Sequence, residues 1–255
     1  MKDVSFTAKI DGSVQKYVEI LPGNFKETEE HNLLIGLHGR GSDRWQYAKQ
    51  DRGECKGSRD IAAKYNMVFI SPDYRATASW MNAKAEADLL QIIAELKIKY
   101  KIGKVFLVGG SMGAMSVLVF AMLHPDLIAG VASNNGIADI FEFKHSSKEG
   151  EDTIIKAYGG TKEEVPEEYR KRSVEPNFRK LTMPVSFTTS GKDTSTPPES
   201  ILRLYKKLEE IGPENVFLIH RENEVHQTSY QDTCDSIEFV IKRVINKKLR
   251  VTSDE

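Results

Sequence analysis

The sequence predicts an α/β domain built on a mostly parallel sheet with helices on both faces. Three observations carry the prediction. Eight short runs rich in β-branched and aromatic residues recur along the 255 residues. The two opening runs are followed by runs that alternate with amphipathic helical patterns, as a parallel sheet requires. The opening pair, with no helical pattern between, reads as an antiparallel start.

The eight strand signals are VSFTAKI, KYVEIL, LLIGL, MVFIS, KVFLVG, AGVASN, PVSFTTS and NVFLIH. The clearest helix spans 83–100, where Ala85, Leu89, Ile92, Ile93, Leu96 and Tyr100 fall on one face. Asn82 is placed to cap its start, and acids early with lysines late suit the helix dipole. Further helices are expected at 57–65, 111–124, 198–211 and 229–247. Residues 105–123 carry no charge and are long enough to suggest a membrane span. A glycine pair inside a β-rich first half argues instead for a strand, Val105 to about Val108, and then a buried helix from about Ser111. The stretch 137–183 is charged and irregular, and long for a connection. It is expected to be a lid-like insertion in a single domain of residues 1–255.

Composition limits the function classes. The 36 Lys and Arg against 37 Asp and Glu leave a formal charge of −1 without a long basic run. That argues against a nucleic-acid surface or a polybasic membrane anchor. The polar, alternating N-terminus is not a signal peptide. The two cysteines, Cys55 and Cys234, show no metal-ligand spacing and read as free thiols. A cytoplasmic location follows as the expectation, although a mature secreted chain given a new Met would look the same. Oligomeric state is not readable.

The chemistry is concentrated at Gly109-Gly110-Ser111-Met112-Gly113. A serine on a strained strand-to-helix turn needs small residues two positions to either side, which gives Gly-x-Ser-x-Gly. Here a strand signal ends at the motif and an apolar helix begins there. A serine needs a base, and the base needs an orienting acid. In a parallel sheet, site residues collect at the carboxyl ends of strands. His226, in the loop between the last strand and the last helix, meets that rule. His220, at the end of a strand signal, is its competitor. Asp193 follows a strand and precedes Pro197-Pro198, with Asp139 in reserve. The oxyanion donors are expected to be the backbone N–H of Met112 and that of Arg40, in the early His38-Gly39-Arg40-Gly41 loop, with Gly39 behind Arg40. His38 is expected to brace that loop. Trp80, Tyr74 and Trp45 fall in loops after strands and are candidates for contacting substrate, with Met81 beside them.

LHGRG, SPDYR, GGSMGA, SGKDTSTPP and EVHQ, in this order, make the chain resemble the α/β-hydrolase superfamily over nearly its whole length. It looks most like single-domain serine esterases of the dienelactone-hydrolase, feruloyl-esterase and acetylxylan-esterase kind, and like the catalytic domain of prolyl-oligopeptidase-like peptidases. The resemblance implies the α/β-hydrolase fold with an eight-stranded sheet, a Ser111–His226–Asp193 triad, and oxyanion donors at Met112 and Arg40. Departures stand beside it. Dienelactone hydrolases use cysteine where this chain has Ser111. The His-Gly-Arg-Gly loop is not the triple-glycine type, and no peptidase propeller is expected within these 255 residues. The leading expectation is a serine carboxylesterase working through an acyl-enzyme on a small-molecule ester, such as an acylated carbohydrate or phenolic ester. No metal or organic cofactor is called for, and no nucleic-acid or membrane partner. The alternatives are a small serine peptidase and a ligand-binding protein without turnover.

Overall fold

A computed structural model describes residues 1–251, with side chains through Ile245. The strands are β1 (Lys2–Thr7), β2 (Val14–Ile20), β3 (His31–Leu37), β4 (Val68–Pro72), β5 (Ile102–Gly110), β6 (Gly130–Asn134), β7 (Val185–Ser190) and β8 (Val216–Arg221). They form one eight-stranded sheet in the order β1-β2-β4-β3-β5-β6-β7-β8. β1–β2 and β2–β4 pair antiparallel, and every later pair is parallel. The eight-stranded α/β-hydrolase fold that the sequence predicts is therefore the fold observed.

The helices are α1 (Trp45–Lys49), α2 (Gly53–Lys64), α3 (Ala83–Lys99), α4 (Met112–Leu123), α5 (Lys148–Tyr158), α6 (Pro166–Arg172), α7 (Glu199–Ile211) and α8 (Tyr230–Val251). Side-chain alternation along β5 assigns the two layers. Val105 and Leu107 pack with α3, α4 and α7, while Phe106 and Val108 pack with α1, α2 and α8. α4 is buried on every side except at Leu123, which accounts for its lack of charge. No helix among the described residues is long and apolar enough to cross a membrane. In α3 the Asn82 side chain accepts from the Ala85 N–H at 3.0 Å, and the six expected apolar positions are all buried.

The expectation of irregular structure at 137–183 is corrected. This segment holds α5, α6 and a 3-10 helix at Glu175–Lys180. Its charge hides short helices that bury only a few residues each, such as Ile154 and Tyr158 of α5. They are fastened to the turn before α3. Tyr158 Oη donates to the Trp80 carbonyl at 2.9 Å, and Trp80 Nε1 donates to Thr153 Oγ1 at 2.9 Å. Arg172, with no exposed surface, donates from Nε to the Met81 carbonyl at 2.7 Å.

Candidate active site

The β5–α4 turn is built as the glycine pattern requires. A Cβ on Gly109 would lie 2.3 Å from the Gly113 carbonyl oxygen, and one on Gly113 would lie 2.0 Å from that of Leu37. Both obstacles are backbone. Ser111 is thereby held at φ 59°, ψ −122°, a conformation costly for a side-chain-bearing residue. Its N–H donates to the Asn134 carbonyl at 3.0 Å, which ties the turn to the end of β6.

The loop after β3 lies against this turn. A Cβ on Gly39 would sit 3.6 Å from Ser111 Cβ and from the Gly110 oxygen. The Gly39 N–H is occupied, donating to Gln46 Oε1 at 3.0 Å. Among the described residues, no protein acceptor takes the N–H of Arg40 or of Met112. His38 is wholly buried between the carbonyls of Gly39 and Asp73, at 2.8 and 3.0 Å from its two ring nitrogens. Burial pushes its pKa down, against the opposing pull of the two carbonyls. Gly41 N–H donates to the Thr77 carbonyl at 2.8 Å.

Asp193 and His226 come from the loops after β7 and β8, which backbone bonds lace together. Gly191 N–H donates to the Arg221 carbonyl at 3.0 Å, and Lys192 N–H to that of Glu224 at 2.9 Å. Asp193 Oδ2 is 2.6 Å from His226 Nδ1. The remaining lone pairs of this buried carboxylate are filled by the N–H groups of Ser195 and Thr196, at 2.8 and 2.9 Å, and by Thr196 Oγ1 at 2.8 Å. Burial raises the Asp193 pKa, but the bonds from His226 and Thr196 outweigh it and hold the carboxyl below its ordinary range.

Ser111 and His226 line one cleft of about 500 Å³, together with Gly39, Arg40 and Trp80. Among the described residues no hydrogen bond joins Ser111 to His226. Such contacts are often longer in free enzymes and tighten when substrate binds.

The competing candidates are engaged elsewhere. His220 contacts Thr189 Oγ1 at 2.7 Å and Glu222 at 3.0 Å. Asp139 accepts from the N–H groups of Phe141 and Glu142 and from Ser173 Oγ, so it caps a turn. Two aromatic expectations are corrected. Tyr74 lies beneath the cleft, fully buried, with Oη donating to the His38 carbonyl at 2.5 Å. Its backbone has a φ of 31°. Trp45 opens α1 outside the cleft, stacked against Lys49 and Arg44. Met81 is likewise buried away from it.

Sequence reasoning missed other cleft residues. Arg52 and Glu54, at the start of α2, pair at 2.7 Å. His145 and Ser147 come from the insertion. Ser147, followed by Glu149 and Glu151, carried a readable helix-start signal, and its side chain does accept from Gly150 N–H at 3.1 Å.

A model of the prolyl oligopeptidase family matches residues 71–240, more than half of the chain. Comparison with curated proteins gives no match. Among solved structures, puromycin hydrolase superposes with a TM-score of 0.75 at 17% identity, covering 96% of this chain and 39% of its own. Acylaminoacyl peptidase from Pyrococcus horikoshii gives 0.69 at 18%, covering 95% and 40%. FphF, a fluorophosphonate-binding serine hydrolase from Staphylococcus aureus, gives 0.68 at 15%, covering 93% and 96%. The chain spans between 35% and 54% of the length of several larger relatives of this fold. The eight-stranded sheet and the family match agree, and the chain belongs to the prolyl oligopeptidase family.

Proposed function

We propose that the protein is a serine carboxylesterase in which Ser111, His226 and Asp193 form the catalytic triad. The observation that carries this reading is the 2.6 Å contact of Asp193 with His226, which shares one cleft with a serine held at φ 59°. With Nδ1 turned to Asp193, His226 keeps Nε2 for the serine hydroxyl. Ser111 Oγ attacks the ester carbonyl as Nε2 takes its proton. The carbonyl oxygen becomes an oxyanion, and the N–H groups of Met112 and Arg40, free of protein acceptors, bond to it. Collapse of the intermediate expels the alcohol, which receives the proton from His226. Water then attacks the acyl-enzyme through the same base and releases the acid.

Trp80, 2% exposed, meets the cleft only at its edge, and the segment 137–183 supplies part of the wall through His145, Ser146 and Ser147. Acylated sugars and phenolic esters are the substrates proposed, on the resemblance of the sequence motifs to esterases of that kind. A second reading is a small serine peptidase, favoured by the family match at 71–240. Paired aryl esters and aminoacyl anilides separate the two, and a fluorophosphonate probe followed by peptide mapping tests the nucleophile. Label on Ser111 with faster ester turnover is the expected result. Label on another residue, or none, overturns the assignment.

A further inference from the structure

Arg40 differs from the other covered arginines. Arg44, Arg59, Arg75 and Arg172 each place their guanidinium groups on two or more acceptor residues. These are Asp3 and Asp73 for Arg44 and Asp88 and Asp11 for Arg75. Arg59 holds the Tyr47 carbonyl and Asp51, and Arg172 the Met81 carbonyl and Glu168. The Arg40 side chain is only 30% exposed, yet its one protein partner among the described residues is Glu149 Oε1 at 3.4 Å. That distance is long for a charge-assisted bond, and Glu149 is 85% exposed, so the pair is weak. Most of the five donors of this fork have no protein acceptor among the described residues.

The cleft charges make the same point. The other cation on its lining, Arg52, is matched by Glu54 at 2.7 Å. Around Arg40, Glu151 is engaged by the His145 N–H at 2.9 Å, and Lys148 faces Asp152 at 3.5 Å. His145, on the same wall, has its pKa lowered first by burial and then by the Arg40 charge, so that charge reaches into the cleft. Asn134, 1% exposed and also on the lining, has an unpartnered Nδ2 donor.

We infer that the Arg40 side chain is a specificity-determining site for a carboxylate on the acyl or alcohol part of the substrate. The inference rests on the esterase reading. The main chain of Arg40 would serve the oxyanion while its guanidinium holds the distal carboxylate, bidentate, in place of Glu149. One residue would then fix both the reacting carbonyl and the far end of the ester. This points to half-esters of dicarboxylic acids, or esters of carboxylated alcohols, as the substrate class.

The test compares 4-nitrophenyl butyrate with the mono-4-nitrophenyl ester of glutaric acid, which adds a terminal carboxylate. The readout is the ratio of their kcat/KM values, so any general loss cancels. Wild type should favour the carboxylated ester by about tenfold or more, chiefly through KM. The preference should shrink as salt rises from 0.02 to 0.5 M, both chosen ionic strengths, as screening requires. Arg40→Gln, which keeps the backbone N–H, should bring the ratio near one, and Arg40→Lys should restore part of it. Glu149→Gln should raise it. A wild-type ratio of one or less, or a ratio that Arg40→Gln does not move, overturns the inference and leaves the esterase reading standing. Failure to turn over either ester defeats both.

Discussion

Asp193 Oδ2 lies 2.6 Å from Nδ1 of His226, and the same carboxylate is held by the Ser195 and Thr196 N–H groups. The acid is thus positioned by its own loop, and the imidazole is oriented by the acid. Asp193→Asn should keep the fold and lower kcat on an aryl ester by roughly 10³–10⁴-fold, because the amide no longer fixes the ring tautomer. Circular dichroism together with kcat checks it. A drop under tenfold would remove Asp193 from the triad.

The same pair sets a pH dependence of stability. Burial opposes the charged carboxyl, but the His226 and Thr196 bonds outweigh it, so the folded pKa lies below the unfolded one. The contribution is present above the unfolded pKa, about 3.9 for aspartate, and is lost as pH falls through the folded value. Between pH 6 and pH 3, the urea midpoint of wild type should therefore fall more than that of Asp193→Asn. Equal falls would contradict the assignment.

Ser111, the proposed nucleophile, is held under backbone strain at φ 59°. Ser111→Ala should lower ester hydrolysis by about 10³-fold or more while keeping the fold. Ser111→Gly should be equally inactive yet melt at a higher temperature than Ser111→Ala, by the equivalent of about 1 kcal/mol, since glycine relieves the strain. Differential scanning calorimetry reads the difference, and identical melting temperatures would count against strain at the turn.

The glycines around the serine test the packing. A methyl at Gly109 or Gly113 would meet backbone oxygen at 2.3 or 2.0 Å, whereas a methyl at Gly23 meets nothing within 4 Å. Gly113→Ala should cost about 3 kcal/mol or more, or prevent folding, because backbone cannot rotate away. Gly23→Ala should stay within about 0.5 kcal/mol of wild type. Denaturant melts of the two variants decide it.

The thiols should be inert in the native state. Burial pushes Cys55 up to about 12, and Cys234, 8% exposed, is raised as well. At pH 8, Ellman's reagent should titrate both rapidly in guanidinium and neither rapidly without it. Fast native reaction at Cys55 would mean that α2 opens locally.

Much of this was legible because burial writes itself into short patterns. Leu33–Leu37 and Val105–Val108 are apolar on both faces of the sheet, and Asn82 announces α3. The serine, acid and base candidates could be named because each follows a strand at the same edge of the sheet. What escaped depends on contacts between distant segments. α2 begins at Gly53 rather than Gly57 because that glycine lets the helix start against the backbone of Thr228–Tyr230, where a Cβ would come within 2.6 Å. Tyr74 was misplaced because its ring is buried under the loop by a long-range bond from Oη to the His38 carbonyl, which the residue type does not announce. Arg52, Glu54 and His145 carry no periodicity that marks a cleft.

The bonds that tie Thr153, Tyr158 and Arg172 to the Trp80–Met81 turn have a kinetic consequence. An aperture nailed down at three points does not have to swing aside before a guest arrives. Association should then follow simple one-step behaviour, with the observed rate linear in substrate concentration and tracking solvent viscosity. Selection falls on molecules already cut to the shape of the opening.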